Sequence, residues 1–384
     1  MSKEQIRVGL NSTALLSPLT GIGQYTKSLA EALVASGEVD LWLFYSLAWS
    51  REVRTQPVPN IAKVKTLIKK LLPHPYSLSR ALQQYKFTQF AREKKIELYH
   101  EPNFLSHRFA GPTVITAHDL SWIRFPDTHP SERVKLMNRL FPRSLENAAH
   151  IITDAEFIRQ EIIAHFGVPP GRITAVPLAA RSNFRPREAD ECRAGLADLG
   201  LGYRSFILCA GTLEPRKNLD FVIRTYAAMP QEFRSRRPLV LVGMKGWLTS
   251  SLESVLQPLM ASGEVRTLGF VSEDDLARLY ASASMLVYPS LYEGFGLPPL
   301  EAMSSGTPVI VSDRSTLPEV VGPAGVLIDP ADAAGLRDAI CRLDEDRAYW
   351  DDRRSASLQQ AATFSWSRCA RETIAIYRSV LGRA

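Results

Sequence analysis

Several features that mark secreted, membrane-spanning or metal-binding proteins are scarce in this chain. Its four cysteines are far apart and have no metal-ligand spacing, so we expect reduced thiols. No apolar run approaches the roughly 20 residues of a membrane-spanning helix. The first residues, Met-Ser-Lys-Glu-Gln-Ile-Arg-Val, do not resemble a signal peptide. These absences favour a cytoplasmic protein.

Nucleic-acid-binding motifs are also absent, although positive charge is concentrated in one half of the chain. The net charge is +6, from 46 Lys and Arg against 40 Asp and Glu. Residues 1–178 hold 22 basic and 15 acidic side chains, a net +7, which leaves 24 against 25, a net −1, for the remainder. We expect no nucleic acid as a partner. The basic half indicates either an anionic membrane surface or a solubility charge without a partner.

A basic amphipathic segment lies within that half, at residues 61–72. Its apolar residues share one helical face, and four lysines occupy much of the other face. Such a helix can lie on an anionic membrane surface. It can equally be a surface helix whose apolar side packs on the core.

Strand-like apolar runs alternate with helical patterns along both halves of the chain. This alternation predicts an α/β fold with parallel sheets and helices on both faces. The 384 residues suit two such domains, which we place at 1–180 and 205–366, with a connection over 179–204 and a helical tail from 366. The predicted strands are 6–10, 39–45, 98–100, 112–116, 150–153, 172–176, 205–209, 238–242, 265–268, 285–288, 308–311 and 325–328.

The most informative stretch is Tyr292-Glu-Gly-Phe-Gly-Leu-Pro-Pro-Leu-Glu-Ala-Met303. It follows a predicted buried strand, and its glycines allow close approach of a ligand to the backbone. A helix starting at Pro298 or Pro299 would direct N–H groups and partial positive charge at a phosphate. Glu293 and Glu301 would repel that anion unless they accept hydrogen bonds from neutral groups, and sugar hydroxyls are suitable donors.

Four further loops follow predicted strands and contribute candidate binding residues. Arg216 and Lys217, in Gly211-Thr-Leu-Glu-Pro-Arg-Lys-Asn, suit a diphosphate, because a cation pair at a helix start is otherwise poorly placed. Gly21-Ile-Gly23 lies in a predicted loop before a helix at 26–35; it lacks the third glycine of the dinucleotide fingerprint, and a plain turn is the simpler interpretation. His118 either donates to a sugar or is structural. The backbone at Phe270 and Val271 would contact a nucleobase edge.

The Asp344-Glu-Asp346 pattern occurs in some metal-dependent glycosyltransferases. Here it lies in a charge-rich helix, and we interpret it as a solvated face. We therefore predict no metal site.

Together these motifs resemble the signature of the family 4 retaining glycosyltransferases, which have the GT-B fold. The resemblance covers nearly the whole chain, including Leu-Gly-Phe-Val-Ser, Pro-Val-Ile-Val-Ser and the closing Phe364-Ser-Trp366. It is strongest to bacterial mannosyl- or rhamnosyltransferases of surface polysaccharide synthesis that use GDP-linked sugars. The family implies two Rossmann-like domains with parallel sheets facing across a cleft. Residues 367–384 would pack back on the first, acceptor-binding domain, and 205–366 would bind the donor.

The resemblance also implies roles for the candidate residues. Glu301 would accept from ribose hydroxyls, and Glu293 would hold hydroxyls of the transferred sugar. Arg216, Lys217 and His118 would act with Glu293 as the catalytic groups. The remaining donor-binding positions would be Gly23, Gly211, Phe270, Val271, Gly294, Phe295, Gly296 and Leu297.

The expected activity is metal-independent transfer of a hexose, with retention, from a nucleotide diphosphate sugar to a saccharide acceptor. The donor would be a substrate, and no cofactor is expected. A lipid-linked acceptor would place the enzyme at the cytoplasmic face of the membrane. The alternatives are a nucleotide-sugar epimerase, a phosphorylase and an inactive nucleotide-sugar-binding protein; a nicotinamide dehydrogenase is disfavoured by the incomplete fingerprint.

Overall fold

The protein divides into two compact units. A computed structural model describes residues 5–17, 21–55, 75–211, 214–243 and 250–383, without the side chains of 75–81 and 250–251. The N-terminal unit comprises Met1–Asp119, Glu132–Leu178 and Trp366–Ala384, and the C-terminal unit comprises Leu120–Ser131 and Ala179–Ser365. The predicted basic helix at 61–72 lies outside the described residues. No helix in the described part of the chain is long and apolar enough to span a membrane.

A seven-stranded sheet forms the centre of the N-terminal unit. Its order is β3-β2-β1-β4-β5-β6-β7. Most strands are rich in buried apolar residues, as expected where helices cover both faces of a parallel sheet. The short edge strand β3 pairs antiparallel with β2 and was not predicted, because its three residues carry no apolar run. The strands are β1 Ile6–Asn11, β2 Val39–Tyr45, β3 Ala48–Ser50, β4 Leu98–Glu101, β5 Thr113–Ala117, β6 His150–Thr153 and β7 Ile173–Ala175.

The first helix of this unit begins earlier than predicted. Helix α1 spans Gly21–Ala35, so Gly21 and Gly23 lie in its first turn and not in a preceding loop. The loop prediction was wrong because glycine disfavours a helix interior more than a first turn, where N–H groups lack intrahelical partners in any case. The helices that follow in the chain are α2 Pro75–Glu93, α3 Ser121–Arg124, α4 Ser131–Asn147 and α5 Glu156–Phe166.

A six-stranded parallel sheet forms the centre of the C-terminal unit. Its order is β10-β9-β8-β11-β12-β13, so successive strands are added on one side up to β10 and on the other side from β11. The strands are β8 Ile207–Ala210, β9 Leu239–Val242, β10 Val265–Gly269, β11 Met285–Tyr288, β12 Val309–Ser312 and β13 Val326–Ile328. One mainly parallel and one fully parallel sheet, each flanked by helices, confirm the predicted α/β class with two Rossmann-like domains.

The predicted connection at 179–204 contains a helix, α6, at Ala189–Asp198. Glu188 and Glu191 form a capping box at its start, which pairs N–H groups that would otherwise lack partners. The charges that made this region look like a linker thus serve the end of a helix. The later helices are α7 Leu219–Ala227, α8 Gln231–Arg236, α9 Ser250–Ala261, α10 Glu273–Ser282, α11 Leu297–Ser304, α12 Leu317–Val321, α13 Ala333–Glu345, α14 Arg347–Ala361 and α15 Trp366–Val380.

Helix α15 joins the N-terminal unit through a buried chain of hydrogen bonds. Tyr377 Oη lies 2.7 Å from His100 Nδ1, and His100 Nε2 lies 2.8 Å from Thr116 Oγ1. Thr116 Oγ1 is in turn 2.9 Å from Tyr25 Oη on α1. Burial lowers the pKa of His100 to about 3, so the imidazole is neutral and both of its nitrogens are satisfied.

Candidate active site

The candidate site in the C-terminal unit lies where the strand order of its sheet reverses. Strands β8 and β11 are neighbours in this sheet. The strands that follow β8 are added on one side of the pair, and the strands that follow β11 are added on the other side. Ligands of open α/β sheets bind at such a switch point, beyond the carboxyl ends of the strands. The loop after β8 carries Arg216 and Lys217, and the loop after β11 carries Glu293. The topology therefore brings together residues that are 76 or 77 positions apart.

These two loops are joined by a compact group of charged side chains. The Lys217 ammonium donates to Glu293 Oε1 at 2.5 Å, and Arg216 Nη1 donates to Glu293 Oε2 at 3.2 Å. Tyr288 Oη donates to Glu293 Oε1 at 2.8 Å. Arg216 Nη2 also pairs with Glu214 at 2.7 Å. We call Glu214, Arg216, Lys217, Tyr288 and Glu293 the charged cluster.

The charged cluster is mostly withdrawn from solvent, which strengthens its electrostatic interactions. The side chains of Glu293, Lys217 and Arg216 are 8%, 11% and 17% exposed. Burial opposes the ionisation of Glu293, but Lys217 and Arg216 outweigh it and lower its pKa to about 2. Burial lowers the pKa of Lys217, and Glu293 opposes that shift. Glu293 is consequently ionised throughout the physiological pH range.

Backbone contacts hold the two loops in register. The N–H of Leu291 donates to the carbonyl of Arg216 at 2.7 Å, and Arg216 Nη1 donates to the carbonyl of Tyr292 at 2.9 Å. Ser315 Oγ donates to the carbonyl of Glu293 at 2.7 Å and accepts from its N–H at 3.1 Å. Ser315 itself has φ +57°, an uncommon conformation for a non-glycine residue that these bonds maintain. The position of the Glu293 carboxylate is thus fixed from both sides.

Two glycines of the site are required by backbone geometry. Gly211 has φ +136° at the end of β8, where the Lys217 side chain passes over it. Gly296 has φ +106° as the N-cap of α11, and a Cβ there would come within 2.9 Å of Leu317 Cδ2. Larger residues are disfavoured at both positions. Gly294, the other glycine of this loop, does not have a positive φ.

Helix α11 starts at Leu297, one residue before the predicted Pro298, and backbone donors lie at its start. The N–H groups of Phe295, Gly296 and Leu297 donate to no acceptor among the described residues. Pro298 and Pro299 follow as the second and third helical residues and have no N–H. The dipole of the helix adds partial positive charge at the same place. This end of α11 is therefore suited to an anion.

Glu301 is the fifth residue of α11 and lies just beyond the first turn of this helix. Its carboxylate accepts from Arg181 Nη2 at 2.9 Å and from Nε at 3.3 Å, both through Oε1. Burial raises the pKa of Glu301 to about 7, against the lowering effect of Arg181. Glu301 and Glu293 thus have very different protonation behaviour although they are eight residues apart.

In the N-terminal unit, His118 is held by two hydrogen bonds. It follows β5, and Asp154 follows the neighbouring strand β6, so the two side chains meet. His118 Nδ1 is 2.7 Å from Asp154 Oδ2, and Nε2 is 2.8 Å from the carbonyl of Pro102. Burial opposes protonation of His118, but Asp154 outweighs it and raises the pKa. Gly23 is buried in the first turn of α1, and Tyr25, two residues later, lies edge-on to the His118 ring at 4.9 Å.

The loop after β10 is exposed, as its predicted contact with a nucleobase would require. Phe270 is 79% exposed, and Val271 is partly buried beside it. A cavity of about 300 Å³ adjoins the ends of β9 and β10, and its lining includes Gly243, Glu253, Met260 and Gly269.

The Asp344-Glu-Asp346 pattern is structural. The Asp344 side chain is 3% exposed and pairs with Arg236 and Arg237, so the interpretation as a solvated face was wrong for this residue. Asp346 caps α14 by accepting from the N–H of Tyr349. Within the described ranges, no three His, Cys, Asp or Glu side chains are grouped to hold a metal ion.

Comparisons with known proteins agree with this geometry. Residues 19–180 match the family described as Glycosyltransferase Family 4, and residues 201–362 match Glycosyl transferases group 1. The chain is 37% identical over 368 residues to O-antigen chain mannosyltransferase B of Escherichia coli, covering 94% of this chain and 96% of that protein. The chain belongs to the family 4 glycosyltransferases.

The fold of this glycosyltransferase is shared with solved structures of low sequence identity. Sucrose-phosphate synthase from Thermosynechococcus elongatus gives a TM-score of 0.73 at 21% identity, over 99% of this chain and 100% of that one. WaaG, a glycosyltransferase involved in lipopolysaccharide biosynthesis, gives a TM-score of 0.70 at 16% identity, over 97% of this chain and 99% of that one. These likenesses support the GT-B fold alone.

Four partners of the predicted site residues, each in the same unit as its partner, were not singled out from the sequence. Tyr288 supplies a hydroxyl to the charged cluster, Ser315 holds the Glu293 backbone, Arg181 pairs with Glu301, and Asp154 pairs with His118. The position of Asp154 directly after a strand was an available signal. Arg181 and Ser315 lie in loops without a recognisable motif, and only the fold brings them to the site.

Proposed function

We propose that this glycosyltransferase moves a mannose- or rhamnose-type hexose, with retention, from a GDP-linked donor to a saccharide acceptor in surface polysaccharide assembly. Its similarity to O-antigen chain mannosyltransferase B over 94% of the chain supports the sugar and the process. The proposal depends most on one observation. Glu293 lies between Lys217 and Arg216 at the switch point of the C-terminal sheet, two residues before the N–H groups at the start of α11 that have no acceptor among the described residues.

The charged cluster suits a reaction in which a diphosphate departs. As the bond between the anomeric carbon and the phosphate oxygen breaks, negative charge accumulates on the diphosphate. Lys217, Arg216 and the N–H groups at the start of α11 stabilise that charge, which is commonly a large contribution to catalysis. Glu293 accepts from sugar hydroxyls and keeps the two cations in place. The departing phosphate oxygen takes the proton of the acceptor hydroxyl on the same face of the sugar.

The proposed chemistry assigns the stabilisation of the leaving group to side chains and not to a metal ion. A transfer assay with GDP-mannose, GDP-rhamnose and UDP-glucose, each with a saccharide acceptor, tests this. We expect product only from a GDP-linked sugar, in the donor's anomeric configuration, and an unchanged rate after EDTA treatment. Inversion, or loss of activity that Mg²⁺ or Mn²⁺ restores, contradicts the mechanism.

The same assay separates the alternative functions. An epimerase would convert the donor without an acceptor, and an inactive binding protein would give no product. The similarity to transferases favours neither alternative.

We further propose that the acceptor is lipid-linked and reached at an anionic membrane surface. The support is compositional: residues 1–178 carry a net +7, and residues 61–72 contain four lysines on one face of an amphipathic pattern. The protein should sediment with vesicles containing anionic lipid at about 0.05 M salt and be released at about 0.5 M. A Lys→Gln replacement of the four lysines at 61–72 should reduce sedimentation. Equal recovery with neutral vesicles contradicts the proposal.

A further inference from the structure

Arg181 connects three parts of the C-terminal unit. It lies between β7 and α6, and its guanidinium reaches Glu301 Oε1 on α11 and Glu273 Oε2 at the start of α10, at 2.9 and 2.7 Å. Its guanidinium carbon lies 4.5 Å from the centre of the Phe184 ring. With two carboxylates and an aromatic face engaged, the planar group has little freedom to rotate. Arg181 is therefore placed to fix the orientation of Glu301.

The contacts of Glu301 leave one carboxylate oxygen available. Both hydrogen bonds from Arg181 end on Oε1, and among the described residues Oε2 accepts no hydrogen bond. The carboxylate side chain is 8% exposed. Oε2 is not among the fully buried side-chain atoms that lack a partner, so a ligand hydroxyl can reach this oxygen and donate to it.

The second carboxylate connects Arg181 to the exposed loop after β10. Glu273 follows Phe270 and Val271 by two to three residues and opens α10, where Ser272 is the N-cap. The same guanidinium therefore contacts the helix that carries Glu301 and the first residue of α10, which lies just after the segment predicted to contact a nucleobase. In a nucleoside diphosphate the ribose lies between the base and the diphosphate. Glu301 would likewise meet the ribose between the segment predicted to contact the base and the start of α11, which is suited to the diphosphate.

We propose that Arg181 is a positioning residue for the donor nucleoside: by holding Oε1 of Glu301 it presents Oε2 to a ribose hydroxyl. This inference rests on the proposed function, because it requires a nucleotide donor in the C-terminal unit. Arg181 itself does not contact the reacting atoms.

The arrangement also predicts a dependence on pH. The charged and titratable groups that act on Glu301 are Arg181 and Glu273, with Tyr280 of α10 beside them. Burial raises the pKa of Glu301 to about 7 and Arg181 lowers it, so removing Arg181 moves this pKa further up. Ionised Glu301, the better hydroxyl acceptor, then forms only at higher pH. The acid limb of donor binding should shift upward in the variant.

Calorimetric titration of the full chain with nucleoside diphosphates tests the inference. GDP and UDP are titrated into the wild type, and the tighter ligand is carried forward with its 2′,3′-dideoxy analogue. For Arg181→Ala we expect roughly tenfold weaker binding of the diphosphate at pH 7, a smaller loss at pH 9, and partial recovery in Arg181→Lys. The dideoxy analogue should bind the wild type weakly. Arg181→Ala should weaken its binding little further, because removal of the ribose hydroxyls and removal of Arg181 abolish the same contact. The KM for the donor should rise more than kcat falls.

Arg185→Ala provides the matched control, since Arg185 lies four residues away, is exposed and pairs with Glu191. Its binding constants should stay within twofold of the wild type. Equal weakening of the diphosphate and its dideoxy analogue by Arg181→Ala would show a general structural role and overturn the inference. Behaviour of Arg181→Ala indistinguishable from Arg185→Ala would also overturn it. A wild-type protein that binds neither GDP nor UDP contradicts the proposed function, and the inference with it.

Discussion

Lys217→Ala should reduce glycosyl transfer by about 100- to 1,000-fold, the usual consequence of removing a group that stabilises developing charge. The Lys217 ammonium contacts Glu293 and Tyr288 and is 11% exposed, so bulk water does not readily replace it. Steady-state kinetics with saturating acceptor would measure the loss, which should fall mainly on kcat. Lys217→Arg should recover little of the activity, because a planar guanidinium does not reproduce the compact ammonium.

Arg224→Ala is the control for this experiment. Arg224 is a cation of the same unit, on α7, and its exposed side chain forms an ion pair with Asp220. The control should keep transfer within about twofold of the wild type, since exposed ion pairs contribute little. If Lys217→Ala kept more than a tenth of wild-type activity while remaining folded, the role given to Lys217 in diphosphate departure would be wrong.

Glu293→Gln should lower transfer by about 100-fold or more while leaving diphosphate binding intact or tighter. The amide keeps the shape of the side chain but removes the charge that neutralises Lys217 and Arg216. The charged cluster then attracts an anion more strongly, whereas the transferred sugar loses a charged acceptor and faces an amide with only one acceptor oxygen. Calorimetry with GDP and transfer kinetics with GDP-mannose would separate these two effects. The thermal stabilisation by GDP should be larger than in the wild type.

Glu264→Gln is a close match for this variant. Glu264 is also a buried carboxylate of the C-terminal unit, and its partner is Arg234, with side chains 5% and 17% exposed. Both variants should unfold more readily, because each leaves a buried cation poorly compensated. Only Glu293→Gln should lose transfer. Equal transfer in the two variants would mean that Glu293 acts through stability and does not contact the sugar.

The fold was largely predictable because its strands have a simple signal. Runs such as Met285–Tyr288 and Leu239–Val242 are apolar and buried on both faces, so they stand out from the helices between them. The start of α11 was predictable to within one or two residues, since a Pro-Pro pair is best tolerated in a first turn. Edge strand β3 has no such signal, and its pairing depends on the sheet that is already formed.

The candidate site was predicted as separate motifs and not as an arrangement of partners. The sequence indicated acids and cations near the ends of β8 and β11, but a direct contact between Glu293 and Lys217 depends on which strands are neighbours. The sequence also could not show the pKa values of the two glutamates. Burial raises the pKa of Glu301 to about 7 against the lowering effect of Arg181, whereas Lys217 and Arg216 lower the pKa of Glu293 to about 2. Protonation depends on three-dimensional surroundings, so two glutamates of one motif behave differently.

The position of α15 in the chain determines when the N-terminal unit can complete its core during synthesis. This helix follows the C-terminal unit in the chain, yet it belongs to the unit that contains the first strand. Until α15 has been synthesised and has packed on this unit, His100 Nδ1 lacks its partner Tyr377. The apolar face of α1 that packs on α15 is then also uncovered. The N-terminal unit therefore completes its core only after the C-terminal unit has been translated, and until then the nascent chain carries an incomplete N-terminal unit.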